Sequence, residues 1–402
     1  MFSGETRAAF LWTRILSTPF YVLFTLLPYI LYKDMEATLF QITTIIILKP
    51  TVSLIAPYWS ASIYKRPDRL ISNLTWANTL KFLPFLFVPL IDSVEYFTLA
   101  SMIYLILGRG VIPAWMELLK QNLPRESRTK VFAYGQAFDY LGIALFPLTF
   151  GWLLDAYQEA WRFLFFVTAS LGMGSTLLLL RIPRQRVHIN NPSPTFSETL
   201  IRPWKQCWEL ILARPDFGRF QIGFMFGGAG LMILQPALPV FFTDTLNLSY
   251  REMTFAIAFC KGIGYAMTTP FWAKLFEKIN IFYFCAGVTF LAALFPLVLL
   301  FSETHITFLW IAFLGYGFMQ AGSELSWHLS GPTFSMEGDS SIYSQTNVLT
   351  QGIRGAVAPY LGLCLCQLTG ATVTFLISSF LCLLATYQMA FQRGLTELEP
   401  SR

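Results

Sequence analysis

Twelve stretches of about twenty mainly apolar residues follow one another along the chain, with short polar turns between them. They run Ile15–Leu31, Thr38–Ser62, Ser72–Ile91, Tyr96–Leu118, Val131–Leu154 and Trp161–Leu180, then Gly218–Phe242, Glu252–Ala273, Phe282–Phe301, Ile306–Leu329, Tyr343–Gln367 and Ala371–Ala390. A segment in hydrocarbon must pair its own amides, so each reads as an α-helix long enough to cross a bilayer. Composition agrees: 55% of residues are hydrophobic and 13% charged, against about 25% charged in soluble proteins. A water-soluble protein is excluded, and an all-α integral membrane protein is expected.

The basic residues sort by side. Twenty of the 28 lysines and arginines fall in loops on the side of the N-terminus, three fall opposite, and five lie inside apolar stretches. The positive-inside bias therefore places both termini in the cytoplasm, which requires an even number of crossings. MFSGETRAAFLWTR, ahead of the first stretch, has no small-residue cleavage site, so that stretch reads as a retained helix.

Two copies of one pattern are present. KPTVSLIAPYWSASIYK, Lys49 to Lys65, is answered by KGIGYAMTTPFWAKLFEK, Lys261 to Lys278, pairing Lys49 with Lys261, Pro57 with Pro270 and Trp59 with Trp272. LGRGVIPAWMEL from Leu107 aligns without a gap to LGYGFMQAGSEL from Leu314, pairing Glu117 with Glu324. Pro28 pairs with Pro239, and each is expected to bend the first helix of its half. The chain thus reads as an internal duplication: a half over 1–181, a linker over 182–214, and a second half over 215–402.

The turn after the second stretch, IYKRPDRL, resembles the signature of the major facilitator superfamily, Gly-x-x-x-Asp-Arg-x-Gly-Arg-Arg. Ser60, Tyr64, Lys65 and Pro67 stand where that signature has Gly, Asp, Arg and Gly; the second half has Ala273, Glu277 and Lys278. Trp161-Arg162 with Phe165 also resembles the superfamily. The fifth-helix motif of drug/proton antiporters is broken at Phe146-Pro147 and Gly151-Trp152. The resemblance implies twelve helices in two pseudo-symmetric six-helix halves. Helices one, four, seven and ten would line a cavity, and helices two, five, eight and eleven would form the seam between halves. It also gives Lys65, Arg69, Glu277 and Lys278, with Glu117, the part of a cytoplasmic gate.

Charge inside the bilayer is costly and points to function or to a partner. The cations within the stretches are Lys49, Lys81, Arg109, Lys261 and Arg354; the deep acids are Asp139 and Glu324. Arg109 and Asp139 lie about 14 and about 12 Å from the cytoplasmic end, so they are expected to pair. Positive charge is left over, and an anionic substrate would supply its partner. Candidate substrate contacts are Lys49, Lys261, Arg354, Arg109 and Gln235, and candidate proton-coupling or ion-pair acids are Asp139 and Glu324. The resemblance implies that the third helix is peripheral, where Lys81 would snorkel to the interface, and Gly227 to Gly230 read as a close-packing surface.

The linker is polar, but TLIRPWKQCWELI within it is amphipathic and suits a membrane surface. The leading expectation is a secondary transporter of a small organic anion, coupled to protons or working by exchange. Drug/proton efflux and a lipid-handling or sensory role are alternatives. An enzyme is disfavoured: His188, His305 and His328 are scattered, and there is no phosphate loop, nucleophile elbow or metal spacing. No cofactor, metal or nucleic acid is expected, and a monomer in a bacterial inner membrane is.

Overall fold

The computed structural model describes residues 2–61, 69–182, 196–335 and 340–391, and among these every regular element is helical. In the first part of the chain these are α1 (Phe2–Thr25), α2 (Leu27–Lys33), α3 (Leu39–Ala61), α4 (Leu70–Phe82) running on as a 3-10 stretch Leu83–Leu90, α5 (Val94–Gly110), α6 (Ile112–Asn122), α7 (Arg125–Ala156), α8 (Ala160–Gly174) and α9 (Thr176–Leu179). Then come α10 (Phe196–Ala213), α11 (Pro215–Ile233), α12 (Ala237–Val240), α13 (Tyr250–Thr254), α14 (Lys261–Phe276), α15 (Ile281–Leu300), α16 (Thr307–Ser335) and α17 (Ser340–Phe391).

The helix ends follow local chemistry. Ser93 Oγ accepts the Tyr96 amide at 3.2 Å and opens α5, and Asn280 Oδ1 accepts the Phe282 amide at 2.9 Å and opens α15. Pro28 has no N–H to continue the ladder, and α1 and α2 meet there at a bend of 42°. Pro239 lies in α12, just after the break that ends α11 at Ile233. Gly370, at φ 84°, bends α17.

By length and composition, four helical segments of the described residues are apolar enough to cross a membrane: Ala160–Leu179, Pro215–Thr245, Ile281–Glu303 and Thr346–Phe391. The bent pair Gly4–Thr25 and Leu27–Lys33 makes a fifth when taken as one. Most of the remaining expected stretches fall on further helices, among them α3, α7, α14 and α16. Large apolar side chains stand out from the helices, Leu90 at 81% and Leu368 at 82% exposure, as suits an apolar solvent.

The chain divides into two compact units, Met1–Thr199 with Ser249–Thr254, and Leu200–Leu248 with Phe255–Arg402. Burial against protein gains little over burial in lipid, so close packing and interhelical hydrogen bonds hold each unit together. In the first unit, fully buried Phe20 of α1 has Phe85, Tyr104 and Phe82 at 4.7, 4.8 and 5.1 Å between ring centroids. Each such pair contributes about 1 kcal/mol beyond area burial. Asn78 of α4 shares its amide among Thr176 Oγ1 at 2.9 Å, Ser175 Oγ at 3.0 Å and the Gly172 carbonyl at 3.3 Å, tying α4 to α8 and α9.

In the second unit α11 and α15 pack on α17, and α14 packs on α16. Ser378 and Ser379 of α17 donate to the carbonyls of Gly230 and Ala293, each at 2.8 Å. The paired tryptophans play matching parts. Trp59 Nε1 donates to Asn73 Oδ1 at 3.1 Å, and Trp272 Nε1 donates to the Phe318 carbonyl at 2.8 Å.

Candidate functional site

The richest polar constellation lies on α14 and α16 of the second unit. Lys261 and Tyr265 are one turn apart on α14, while Tyr316, Gln320 and Glu324 rise at four-residue steps along α16, so each set shares a helix face. The backbones touch. A Cβ at Gly317 would stand 2.0 Å from the Lys261 carbonyl oxygen, and one at Gly264 would stand 2.1 Å from that of Leu314. Only glycine permits this approach, which explains Gly264 and the second glycine, Gly317, of the repeated LGxG pattern in this half.

Across that contact the Lys261 ammonium sits 4.9 Å from the centroid of the Tyr316 ring, a cation–π distance. Tyr265 Oη donates to Glu324 Oε2 at 2.6 Å, and Gln320 Nε2 donates to Glu324 Oε1 at 3.3 Å. Gln320 Oε1 is buried without a hydrogen-bond partner. Lys261 and Glu324, picked out separately in the sequence, lie along the same helix pair: Lys261 against Tyr316, and Glu324, about two turns further along α16, against Tyr265 and Gln320. Tyr265, Tyr316 and Gln320 were missed; their signal was the four-residue spacing from the two charged residues.

Arg354 has a different surrounding from the one expected. It is 7% exposed, donates to the Phe224 carbonyl, lies 4.6 Å from the Phe224 ring centroid and covers Gly228. A guanidinium so enclosed pins α17 to α11. Gly228 is small because the guanidinium occupies the space of a Cβ. Nearby, Gln221 donates to Asn347 Oδ1 at 2.6 Å, Thr350 donates to Gln221 Oε1 at 2.9 Å, and Asn347 donates to Ser330 Oγ at 2.8 Å. Gln235 is half-buried and spends its amide on the Leu231 carbonyl at 3.3 Å.

In the first unit the expected pairing of Arg109 with Asp139 is corrected. Asp139 is held by Arg14 in an ion pair and by Thr18 Oγ1 at 2.9 Å. The depths of Arg109 and Asp139 were compatible, but the neighbours were wrong. α7 packs on α1, whereas α5, which carries Arg109, packs on α3 and α4. Arg14 ends the polar N-terminal stretch MFSGETRAAFLWTR, and its spacing of four from Thr18 is the signal that places both on one helix face. Arg109 is half-buried and Lys49 is exposed on α3. Lys81 lies 4.6 Å from the Phe82 ring centroid.

Of the expected gate residues, Arg69, Glu277 and Lys278 are exposed at helix ends. Lys65 lies outside the described residues, as does the side chain of Glu117 on α6. A further acidic cluster, not foreseen, surrounds α13 in the first unit. Asp155 at the end of α7 accepts from the backbone amides of Tyr250 and Arg251, and Ser249 and Glu252 form a reciprocal cap, with the Ser249 amide reaching Glu252 Oε2 at 2.9 Å and the Glu252 amide reaching Ser249 Oγ at 3.2 Å. Lys33 lies 4.5 Å from the Tyr250 ring centroid. Arg162 bridges Asp92 at 3.0 Å and Glu159 at 3.2 Å.

The chain belongs to the Major Facilitator Superfamily, whose family model matches residues 9–335. It is 26% identical over 230 residues to the proton-coupled antiporter flippase LtaA of Staphylococcus aureus, in strains USA300, NCTC 8325 and COL. That match covers 54% of this chain and 51% of the relative, so the chain spans about half the length of the curated relatives it matches. Among solved structures, the nucleoside transporter NupG superposes with a TM-score of 0.70 at 12% identity, covering 98% of this chain and 99% of NupG. A POT family transporter in complex with a thioalcohol-conjugated peptide does so at 0.70 and 14%, covering 98% and 96%. At these identities the structures establish the fold alone.

Proposed function

We propose that this chain is a secondary active transporter that works by alternating access and moves a small organic anion together with a proton. In this reading twelve helices cross a bacterial inner membrane as two six-helix halves, 1–181 and 215–402. They are joined by a cytoplasmic linker, 182–214, and both termini are cytoplasmic.

The observation that carries the reading is the cluster of Lys261, Tyr265, Tyr316, Gln320 and Glu324. Lys261 supplies the positive charge, and Tyr316 offers a ring face that steadies the ammonium without neutralising it. Glu324 is the acid. Ionised, it balances the field of Lys261 and competes with an incoming anion. Protonated, it leaves the cluster net positive, so anion and proton bind best together. Tyr265 and Gln320 orient the carboxylate through hydrogen bonds that an ionised group strengthens. Arg354 takes no part in binding; its place is in the packing of α11 on α17.

The test is a thermal-shift screen of the purified chain against phosphorylated, carboxylate, cationic and lipophilic ligands, repeated with Lys261→Ala. A ligand at 100 times its Kd adds about 2.7 kcal/mol to stability. Stabilisation by one anion class, lost in the variant, supports the reading, and equal stabilisation of both proteins overturns it. A second reading, movement of an anionic lipid, draws on the relatives being named flippases; stabilisation by lipophilic anions alone favours it.

A further inference from the structure

A cavity of about 580 Å³ opens where α10 meets α11 and the early part of α17, all within the second unit. Its walls are mainly apolar, with Ile211 from α10 and Ile222, Met225 and Phe226 from α11. Two polar side chains on the wall, Gln221 and Thr350, are hydrogen-bonded to each other at 2.9 Å, so they contribute little free polarity. The volume lies within the range of small-molecule pockets.

One charge borders this apolar space. Arg219 lines the cavity one turn into α11, and among the described residues no acid pairs with it. The nearest acid on its helix, Asp216, is taken by Arg214, which holds both carboxylate oxygens at 3.1 and 2.8 Å. Arg219 is thus a cation at the head of a hydrophobic groove, close to the N-terminus of a nineteen-residue helix whose dipole adds positive potential.

The setting identifies the occupant. On α10, Ile201, Trp204, Trp208 and Leu212 are exposed at spacings of three and four, 60%, 41%, 64% and 64%, and so form one apolar stripe, with Lys205 exposed beside it and 3.9 Å from Glu209. A helix with an exposed aromatic stripe beside a charged face suits the membrane interface. The groove therefore opens where lipid headgroups sit, and its charge complements an anionic one.

We propose that this groove holds one anionic phospholipid of the surrounding bilayer, its phosphate on Arg219 and an acyl chain along Ile222, Met225 and Phe226. The lipid would seat α10 against α11 and is distinct from any transported molecule, since Lys261 and Glu324 are absent from the groove wall.

Native mass spectrometry of the full chain in detergent tests this with palmitoyl-oleoyl phosphatidylglycerol and with phosphatidylcholine of the same chains. The wild type is expected to retain one phosphatidylglycerol at concentrations where phosphatidylcholine is lost. Arg219→Gln is expected to weaken retention about tenfold, Arg219→Lys to keep most of it, and Ala229→Phe, which fills the groove and leaves the charge, to lose it. Equal retention of the two lipids by the wild type overturns the proposal. So does a loss in Arg219→Gln that Ala229→Phe does not share, which would mean a surface headgroup contact only. Should Arg219→Gln fail to fold, Ala229→Phe decides alone.

Discussion

Asp155, on the last turn of α7, accepts hydrogen bonds from the backbone amides of both Tyr250 and Arg251, at 2.9 and 2.8 Å. These are the first two amides of α13, which have no partner within their own helix. A carboxylate there satisfies both donors and sits at the positive end of the helix dipole. Asp155→Ala is expected to destabilise the protein by about 1–2 kcal/mol, in line with loss of a helix cap. Asp155→Asn, which keeps one acceptor, should cost less. Melting in detergent orders the three proteins, and an unchanged Asp155→Ala would show that water replaces the cap.

Asp34 lies beside the same segment and should make stability depend on pH. Desolvation raises its carboxyl above the usual value of 3.8, and nearby Asp155 and Glu159 push the same way; the Tyr250 hydroxyl and Lys33 oppose the rise. Desolvation outweighs both, so the net direction is upward. An acid raised in the folded state contributes stability below its unfolded value, and that contribution fades as pH rises through the folded value. Asp34→Asn should therefore gain in melting temperature over wild type as pH goes from about 4 to neutrality. A difference that stays flat across that range contradicts the assignment.

The ion pair of Arg14 with Asp139 joins α1 to α7, with side-chain exposures of 29% and 24%. It lies between a surface pair and a buried one, so Asp139→Ala is expected to cost about 1–3 kcal/mol. Much of that cost is the guanidinium left behind. Removing both partners, Arg14→Met with Asp139→Ala, should restore a measurable part of the loss. Strict additivity of the two single changes would mean that the pair is not coupled.

How far the sequence reached is clear from these residues. The helical class and the paired tryptophans follow from apolar length and a repeat offset, and the superfamily from short motifs; all can be read along the chain without knowing which helices pack together. Lys261 and Glu324 could be selected because charge in hydrocarbon is costly wherever it points. Their partners could not, because which helix faces which is a property of packing. The depths of Arg109 and Asp139 were compatible, yet Arg14 held the aspartate. The burial of Arg354 was illegible for the same reason: it depends on Gly228 lying opposite, on another helix.

Gly317 allows α14 and α16 to touch, and it shapes the cluster without contributing a functional group. Gly317→Ala places a methyl against the Lys261 carbonyl and is expected to cost about 1–3 kcal/mol as overpacking. It should also weaken ligand binding, because Lys261 and Tyr265 move with α14. Gly315→Ala, with open space around its Cβ, is the matched control and should melt like wild type. Equal behaviour of the two variants would remove the close contact from the account.

The central claim is that Glu324 couples an anion to a proton beside Lys261. It is tested most directly in proteoliposomes loaded with the anion that the thermal-shift screen selects. Wild type and Glu324→Gln are compared in two modes: exchange without a gradient, and accumulation driven by an imposed pH gradient. The account predicts that the wild type performs both, while Glu324→Gln retains exchange and loses accumulation by at least about tenfold. Gradient-driven accumulation by Glu324→Gln at the wild-type rate would contradict it and return Glu324 to a packing role with Tyr265.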